Sequence, residues 1–143
     1  MVNGITAGLA AVTTLQVPLT HRAHAHGVVF VTGHAQDGNQ GTDWRALAAA
    51  AHQARLTLVI YMGVSGARRI QHELLSSLPA STPVAIVQHA TLPAQRQRLT
   101  TLSDLHTCIA RHGLASPSVL VVGQVLAGLL ALQDAPAAAR MNA

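Results

Sequence analysis

The sequence is poor in lysine, acids and aromatic residues. Its 143 residues include no lysine, five acids and one residue each of Phe, Trp and Tyr. All nine basic residues are arginine, so the net charge of +4 reflects scarce acids rather than a dense basic surface. Proteins that bind nucleic acid usually combine basic clusters with aromatic rings on which bases stack. We therefore expect no nucleic-acid partner, and a small polyanionic ligand held by a few guanidinium groups fits better.

Cysteine and long apolar runs are also scarce. Cys108 is the only cysteine, which excludes a disulfide framework and a cysteine-based zinc site. The longest apolar stretch, residues 118–132, is interrupted by Gly and Gln and is too short to span a bilayer. The first residues do not resemble a signal peptide. We therefore expect a cytoplasmic protein with no membrane partner, and we interpret Cys108 as a buried helix residue.

Half of the residues are apolar, which is enough for the aliphatic core of one domain. Apolar runs predict buried strands, and a fifth short strand turns back: 27–32, 57–62, 84–87, 118–122 and 98–101. Composition and end signals predict helices between them, over 5–16, 43–55, 66–78 and 103–112. This alternation favours an α/β fold, a three-layer α/β/α domain with a mostly parallel sheet of about five strands.

Three predicted strands end in distinctive segments that contain Gly or His. These segments are Thr32-Gly33-His34, Tyr61-Met62-Gly63 and Gln88-His89-Ala90-Thr91. Ligands of such sheets bind beyond the carboxyl ends of the strands. The three segments are therefore the first place in which we expect a site.

Residues with catalytic or metal-binding chemistry do not form a complete set. His24 and His26 could bind a metal together with His34, but no acid lies nearby, so a loop of solvated or hydrogen-bonded histidines fits better. Ser65 follows a glycine at a strand end, yet helix capping explains it more simply than nucleophilic catalysis. Phosphate-binding motifs and paired acids are missing. We expect a binding half-site with no catalytic residue and no metal.

Several segments, in order and in register up to about Leu126, are similar to the uroporphyrinogen-III C-methyltransferase family. They are Gly4-Ile5-Thr6-Ala7, Pro18-Leu19-Thr20-His21-Arg22, Phe30-Val31-Thr32-Gly33-His34, Asp43-Trp44, Tyr61-Met62-Gly63, Thr82-Pro83-Val84-Ala85, Val87-Gln88, Pro93-Ala94-Gln95-Arg96 and the strand from Pro117 to Gly123. The L-T-H-R and F-V-T-G-H segments are the most specific. The resemblance implies an S-adenosylmethionine-dependent methyltransferase that makes precorrin-2 for siroheme or cobalamin.

Members of that family have two α/β domains and bind the methyl donor in the cleft between them. The resemblance implies that Thr6, Ala7 and Met62 bind S-adenosyl-L-methionine, or S-adenosyl-L-homocysteine after transfer. It implies the same for position 90, where the family usually has Gly and this chain has Ala90. A methyl group there would crowd a ligand that approaches the backbone closely. Asn3 is a second departure, at a position that is usually Pro.

The implied substrate is uroporphyrinogen III, which carries eight carboxylates. We expect His21 and Arg22 to help receive them, with Arg96 as a further candidate. A role for Arg22 in bracing its loop or a dimer contact is an equal alternative.

The resemblance divides the chain into a C-terminal methylase domain, residues 1–126, and a helical or frayed tail, residues 127–143. The family's N-terminal domain has no counterpart in this sequence, so we expect the chain alone to be inactive and to bind the donor weakly or not at all. We expect a homodimer, as is common in the family. Two alternatives remain open: a different tetrapyrrole (precorrin) methylase, and a non-catalytic binding or dimerisation module of the same fold.

Overall fold

The computed structural model describes residues 3–35 and 41–135, so most of the predicted tail lies outside it. The elements are α1 (Ala7–Leu15), β1 (Gly27–Thr32), α2 (Trp44–Ala54), β2 (Leu56–Tyr61), α3 (Ala67–Leu74), β3 (Pro83–Gln88), β4 (Arg96–Thr101), α4 (Leu105–His112), β5 (Ser118–Val122) and α5 (Ala127–Asp134). All five predicted strands are present within two residues of their predicted bounds. The division at residue 126 stays a prediction.

Local signals explain where several helices begin and end. The Asp43 carboxylate accepts a hydrogen bond from the Ala46 N–H at 3.0 Å and caps the start of α2. Gly113 adopts φ +58° and ends α4. Helix α3 ends at Leu74, four residues before its predicted end, because two serines and Pro79 follow closely.

The sheet has the strand order β1-β2-β5-β3-β4. Only β1 and β2 pair in parallel, whereas β2–β5, β5–β3 and β3–β4 are antiparallel. The prediction of a mostly parallel sheet is therefore wrong. Strands become continuously apolar when both faces of the sheet are covered, and that covering does not depend on strand direction.

The predicted three-layer α/β architecture is confirmed. Helices α2, α3 and α4 cover one face, where they pack on alternate strand residues such as Leu58, Ile60 and Leu120. Helix α1 and the segment around Leu126 cover the other face, over Val59 and neighbouring valines. Cys108 is buried in the first of these cores, and this burial, together with the nearby Asp104 charge, raises the pKa of its thiol.

The two edges of the sheet carry different segments. We call the edge at which β1, β2 and β3 end the upper edge, and the edge at which they begin the lower edge. Because β5 is antiparallel to both neighbours, it starts at the upper edge, where Ser118 pairs with Gln88.

In the described part of the chain, none of the helices has the length and apolarity needed to cross a bilayer.

Candidate functional site

A pocket of about 330 Å³ opens at the upper edge. It is lined by Ala7, Tyr61, Met62, Val87, His89, Ala90, Leu92, Ser116, Pro117, Ser118 and Val119. Four segments that are distant in sequence thus meet there: the start of α1, the end of β2, the segment after β3 and the start of β5. Three of the predicted donor-binding residues, Ala7, Met62 and Ala90, are brought together in this pocket.

Tyr61 fixes the start of α1 against the end of β2. Its hydroxyl group is hydrogen-bonded to the Thr6 hydroxyl and accepts the Gly8 N–H at 3.2 Å. Gly8 is required for this close approach, because a Cβ at that position would lie 2.6 Å from the Tyr61 oxygen. Thr6 therefore lies beside the pocket and acts on it through Tyr61, and Ala7 is held at its wall.

The backbone at this edge departs from ordinary strand and turn geometry. Met62, His89 and Thr91 all have positive φ angles, of 52°, 51° and 68°. A non-glycine residue in this region costs on the order of 1 kcal/mol, and such strain concentrates at ligand-binding sites. Here the left-handed residues end β2 and β3 sharply, which turns Met62 and His89 towards the pocket. The Met62 side chain is 53% exposed, so it borders the open side.

Ala90 is half-buried in the pocket wall, between the left-handed His89 and Thr91. Its own φ is not in the left-handed region, so the backbone here accepts an L-residue without strain. A need for Gly at this position would therefore come from a ligand close to the backbone, and not from the fold.

His21 and Arg22 lie at the lower edge, away from the pocket. Their loop is closed by a bridge between His21 and Ala25 and is tied to the start of β2 by the Thr57 hydroxyl, which donates to the Leu19 carbonyl at 2.8 Å. One strand length, about 17 Å, separates the two edges. Within one chain, the structure does not bring His21 and Arg22 together with the donor-binding candidates.

Arg96 begins β4 near the upper edge, but its guanidinium group donates to the carbonyls of His112 and Gly113. It therefore serves the carboxyl end of α4, where a cation is favourable. The suggested metal ligands also separate, since His24 and His26 precede β1 at the lower edge while His34 follows it at the upper edge. Among the described residues, no three potential metal ligands come together.

Sequence reasoning missed Ser116, Pro117 and Ser118 as pocket residues. In a parallel sheet the end of β5, not its start, would lie at the upper edge, so the error in strand direction moved this segment to the wrong side. Leu92 was missed because it lies in a loop without a recognisable signal. Tyr61 stood in a predicted site segment, but its hydrogen bonds to α1 depend on helix placement.

A pocket beyond strand ends, with mostly apolar walls and a few polar groups, is typical of small-molecule sites in α/β proteins. The family model of the Tetrapyrrole (Corrin/Porphyrin) Methylases matches residues 1–106. The chain belongs to this family, and the expected fold family is confirmed.

Two known proteins are similar in sequence to most of this chain. The chain is 45% identical over 126 residues to the uroporphyrinogen-III C-methyltransferase of Pseudomonas fluorescens, an alignment that covers 87% of this chain and 49% of that protein. It is 42% identical over 127 residues to the siroheme synthase of Chromobacterium violaceum, covering 88% of this chain and 26% of that protein. The chain thus spans about half of the first relative and about a quarter of the second.

A solved structure has a similar fold over most of this chain. The uroporphyrin-III C-methyltransferase of Thermus thermophilus, complexed with S-adenosyl homocysteine, superposes with a TM-score of 0.69 at 31% identity. The match covers 87% of this chain and 52% of that one.

Proposed function

We propose that this chain supplies the C-terminal domain, residues 1–126, of an S-adenosyl-L-methionine-dependent uroporphyrinogen-III C-methyltransferase, with residues 127–143 as a tail. The observation that carries the proposal is the upper-edge pocket, which joins Ala7, Met62 and Ala90 although they are far apart in sequence. The similarity to methyltransferases that act on uroporphyrinogen III supports the same reading. The product would be precorrin-2, for siroheme or cobalamin.

The pocket suits one side of a nucleoside-like ligand. Its volume is at the low end for ligand pockets, and it is open, so it can hold part of S-adenosyl-L-methionine or S-adenosyl-L-homocysteine. When bound, S-adenosyl-L-methionine supplies a methyl group on a sulfonium centre. The flexible Met62 side chain packs against a planar ring, and Tyr61 keeps Ala7 and Thr6 in place.

Two large apolar side chains that line the pocket, Met62 and Leu92, and a third two residues before Ala7, Ile5, lack a cover within the described chain. Ile5 is 70% exposed, Met62 53% and Leu92 55%. Apolar surface of this kind marks an interaction site. We propose that the family's other domain covers it and closes the donor cleft, which orients the donor towards the substrate carbon.

His21 and Arg22 remain proposed substrate-binding residues. Because they lie at the lower edge, they would have to contact a carboxylate that reaches far beyond the pocket, or the substrate of a second copy in a homodimer. A homodimer and a cytoplasmic location, which suits a free buried thiol, belong to the same proposal.

The Met62→Ala variant tests the donor pocket. We define the composite enzyme as this chain joined to the half of the Pseudomonas fluorescens relative that it does not match. Loss of the thioether contact should weaken S-adenosyl-L-homocysteine binding by about tenfold, equal to about 1.4 kcal/mol. Isothermal titration calorimetry measures this change. Leu132→Ala, which removes an exposed apolar side chain from α5, is the control and should bind normally. Equal affinity in both variants would contradict the proposal.

Arg22→Ala tests the substrate-binding role in the composite enzyme. Removal of a guanidinium group that holds a carboxylate should raise the KM for uroporphyrinogen III by about tenfold or more, with little change in the KM for the donor. Steady-state kinetics with each substrate varied in turn separate the two values. A loss of dimer without a selective change in KM would instead assign Arg22 to loop bracing or dimer contact.

One observation favours the non-catalytic alternative: the Ala90 methyl group lies in the wall of the donor pocket. Under that alternative the composite enzyme would form and dimerise but bind no S-adenosyl-L-homocysteine. A different precorrin methylase would bind the donor but methylate another ring, which product analysis by mass spectrometry distinguishes.

A further inference from the structure

A second cleft, of about 350 Å³, opens at the lower edge. It lies on the sheet face that α2 and α3 cover, whereas the donor pocket lies on the other face. We call this second cleft the lower-edge cleft; the residues that matter for its chemistry are His24, His52, Arg55, Leu78, Thr82 and Gln124. They come from the loop before β1, the last turn of α2, the segment before β3 and the segment after β5. None of the residues assigned to the proposed methyltransferase function lines this cleft.

The described lining of the cleft carries basic groups without acidic ones. His52 lies in the last turn of α2, Arg55 directly follows the helix, and both residues line the cleft. His24 approaches from the neighbouring loop. Among the residues that the structure describes around this cleft, none is acidic. An anion bound here therefore meets guanidinium and imidazole groups with no carboxylate to repel it.

Backbone contacts position the segments that carry these basic groups. Arg55 is the left-handed residue that ends α2, and its carbonyl accepts a hydrogen bond from the His26 N–H at 2.8 Å. This bond joins the end of α2 to the histidine loop. The His24 N–H donates to the His21 carbonyl at 2.9 Å, and the two imidazole rings stack with centroids 4.8 Å apart. His24 and Arg55 are thus linked through backbone contacts.

The charge balance makes Arg55 the decisive group. The carboxyl end of a helix carries roughly half a negative charge, which by itself repels an anion. The full positive charge of Arg55 exceeds that partial charge and offers a bidentate donor for a carboxylate or phosphate. Without Arg55, the end of α2 would leave a neutral or unfavourable site.

The floor of the cleft is apolar. Ala51, Leu56, Leu78 and Val122 contribute to its lining, beside the buried Thr82. A bare inorganic ion would leave this surface unused, whereas an apolar body attached to the anionic group would cover it. The combination indicates a ligand with one charged end and one apolar end.

We propose that the lower-edge cleft binds a small organic anion, a carboxylate or phosphate group on a compact apolar body. Arg55 binds the anionic group, His24 and His52 flank it, and the apolar floor receives the body. The site lies at the opposite edge from the donor pocket and its lining does not include His21 or Arg22, so the proposal does not rest on the proposed methyltransferase function.

Nuclear magnetic resonance titration of the whole chain tests the proposal. Benzoate and phenyl phosphate are the anionic probes, and benzamide is the neutral probe of similar shape. We expect saturable shifts of the His24 and His52 ring signals and of the Thr82 and Gly123 amides with at least one anion. Benzamide should give no saturable shift. Whichever anion binds more tightly identifies the head group.

Two variants of the same helix provide the matched comparison. Arg55→Gln keeps a non-glycine residue at the left-handed position, and it should weaken anion binding by about tenfold or more. Arg45→Gln makes the same change in the exposed first turn of α2 and should leave binding unchanged. His52→Gln is a second cleft variant in case Arg55→Gln perturbs the fold. Absence of saturable shifts with both anions, equal binding of benzamide, or equal effects of Arg45→Gln and Arg55→Gln would each overturn the proposal.

Discussion

Ala90 shows how one methyl group can separate a requirement of the fold from a requirement of a ligand. The residue lies half-buried in the donor pocket with a backbone that needs no glycine. Its side chain therefore occupies space that a bound ligand would otherwise use. The Ala90 methyl group is therefore expected to change the affinity for a ligand and not the stability of the fold.

Ala90→Gly should strengthen binding of S-adenosyl-L-homocysteine to the composite enzyme. Removal of the methyl group lets the ligand approach the backbone, and a change of one methyl-sized group in a pocket is worth roughly tenfold. Calorimetric titration of both proteins gives the ratio of the dissociation constants. Ala115→Gly, in an exposed position that does not line the pocket, is the control for backbone flexibility. Unchanged or weaker binding in Ala90→Gly alone would show that the methyl group does not crowd the ligand.

At the scale of the elements, the ends of β1 and β2 are packed without free space. A Cβ atom added at Gly33 would lie 2.6 Å from the Cα of Gly63. Because Gly63 directly follows Met62, this contact fixes the geometry of the turn that presents Met62 to the pocket. Such backbone-to-backbone contact cannot be relieved by a side-chain rotation.

Gly33→Ala should lower the free energy of unfolding by about 1–3 kcal/mol, the usual cost of overpacking. The matched substitution is Gly128→Ala in α5, where an added Cβ meets nothing within 4 Å. Gly128→Ala should instead stabilise the chain by about 0.5–1 kcal/mol, because Ala is favoured over Gly in a helix. Urea denaturation of the three proteins measures both changes. If both substitutions change stability in the same direction, the close packing of β1 on β2 is not as described.

Strand direction is the element-scale property that the sequence did not reveal. Both parallel and antiparallel strands become apolar when helices cover both faces of the sheet. The apolar character of residues such as Val59 and Val121 therefore does not indicate strand direction. The placement of β5 between β2 and β3 decides it.

At the scale of the whole molecule, the chain presents an open apolar pocket at one edge and a basic cleft at the other. The donor pocket contains His89 and Tyr61 but no acid among its described lining residues. Methyl transfer requires the donor in line with the substrate carbon, which one open wall does not impose. The pocket is therefore suited to binding within a larger cleft.

The chain alone should form no precorrin-2, and the composite enzyme should form it. The expected S-adenosyl-L-homocysteine affinity of the chain alone is at least roughly tenfold lower, because a ligand covered on one side only loses much of its buried surface. Product absorbance and mass spectrometry detect precorrin-2, and calorimetry gives the affinities. Precorrin-2 formation by the chain alone would contradict the half-site. Inactivity of both proteins, with normal donor binding, would favour a different ring substrate.

The sequence by itself determined the strands, most helices, the α/β class and the segments that carry the pocket. These features follow from local causes: apolar runs, capping residues such as Asp43 and the glycines at strand ends. It also carried the family resemblance, because the motifs that show it are short stretches of neighbouring residues.

Only the tertiary structure decided which of those segments meet. Met62 and Ala90 share a pocket with Ser118 because β5 runs against its neighbours, while Arg22 lies a strand length away from them. The lower-edge cleft, with Arg55 and His24 in its lining, has no sequence signal either, because its residues also come from segments that are distant in sequence. Local patterns fix what each segment is, but strand pairing and helix packing, which join residues distant in sequence, fix what each segment touches.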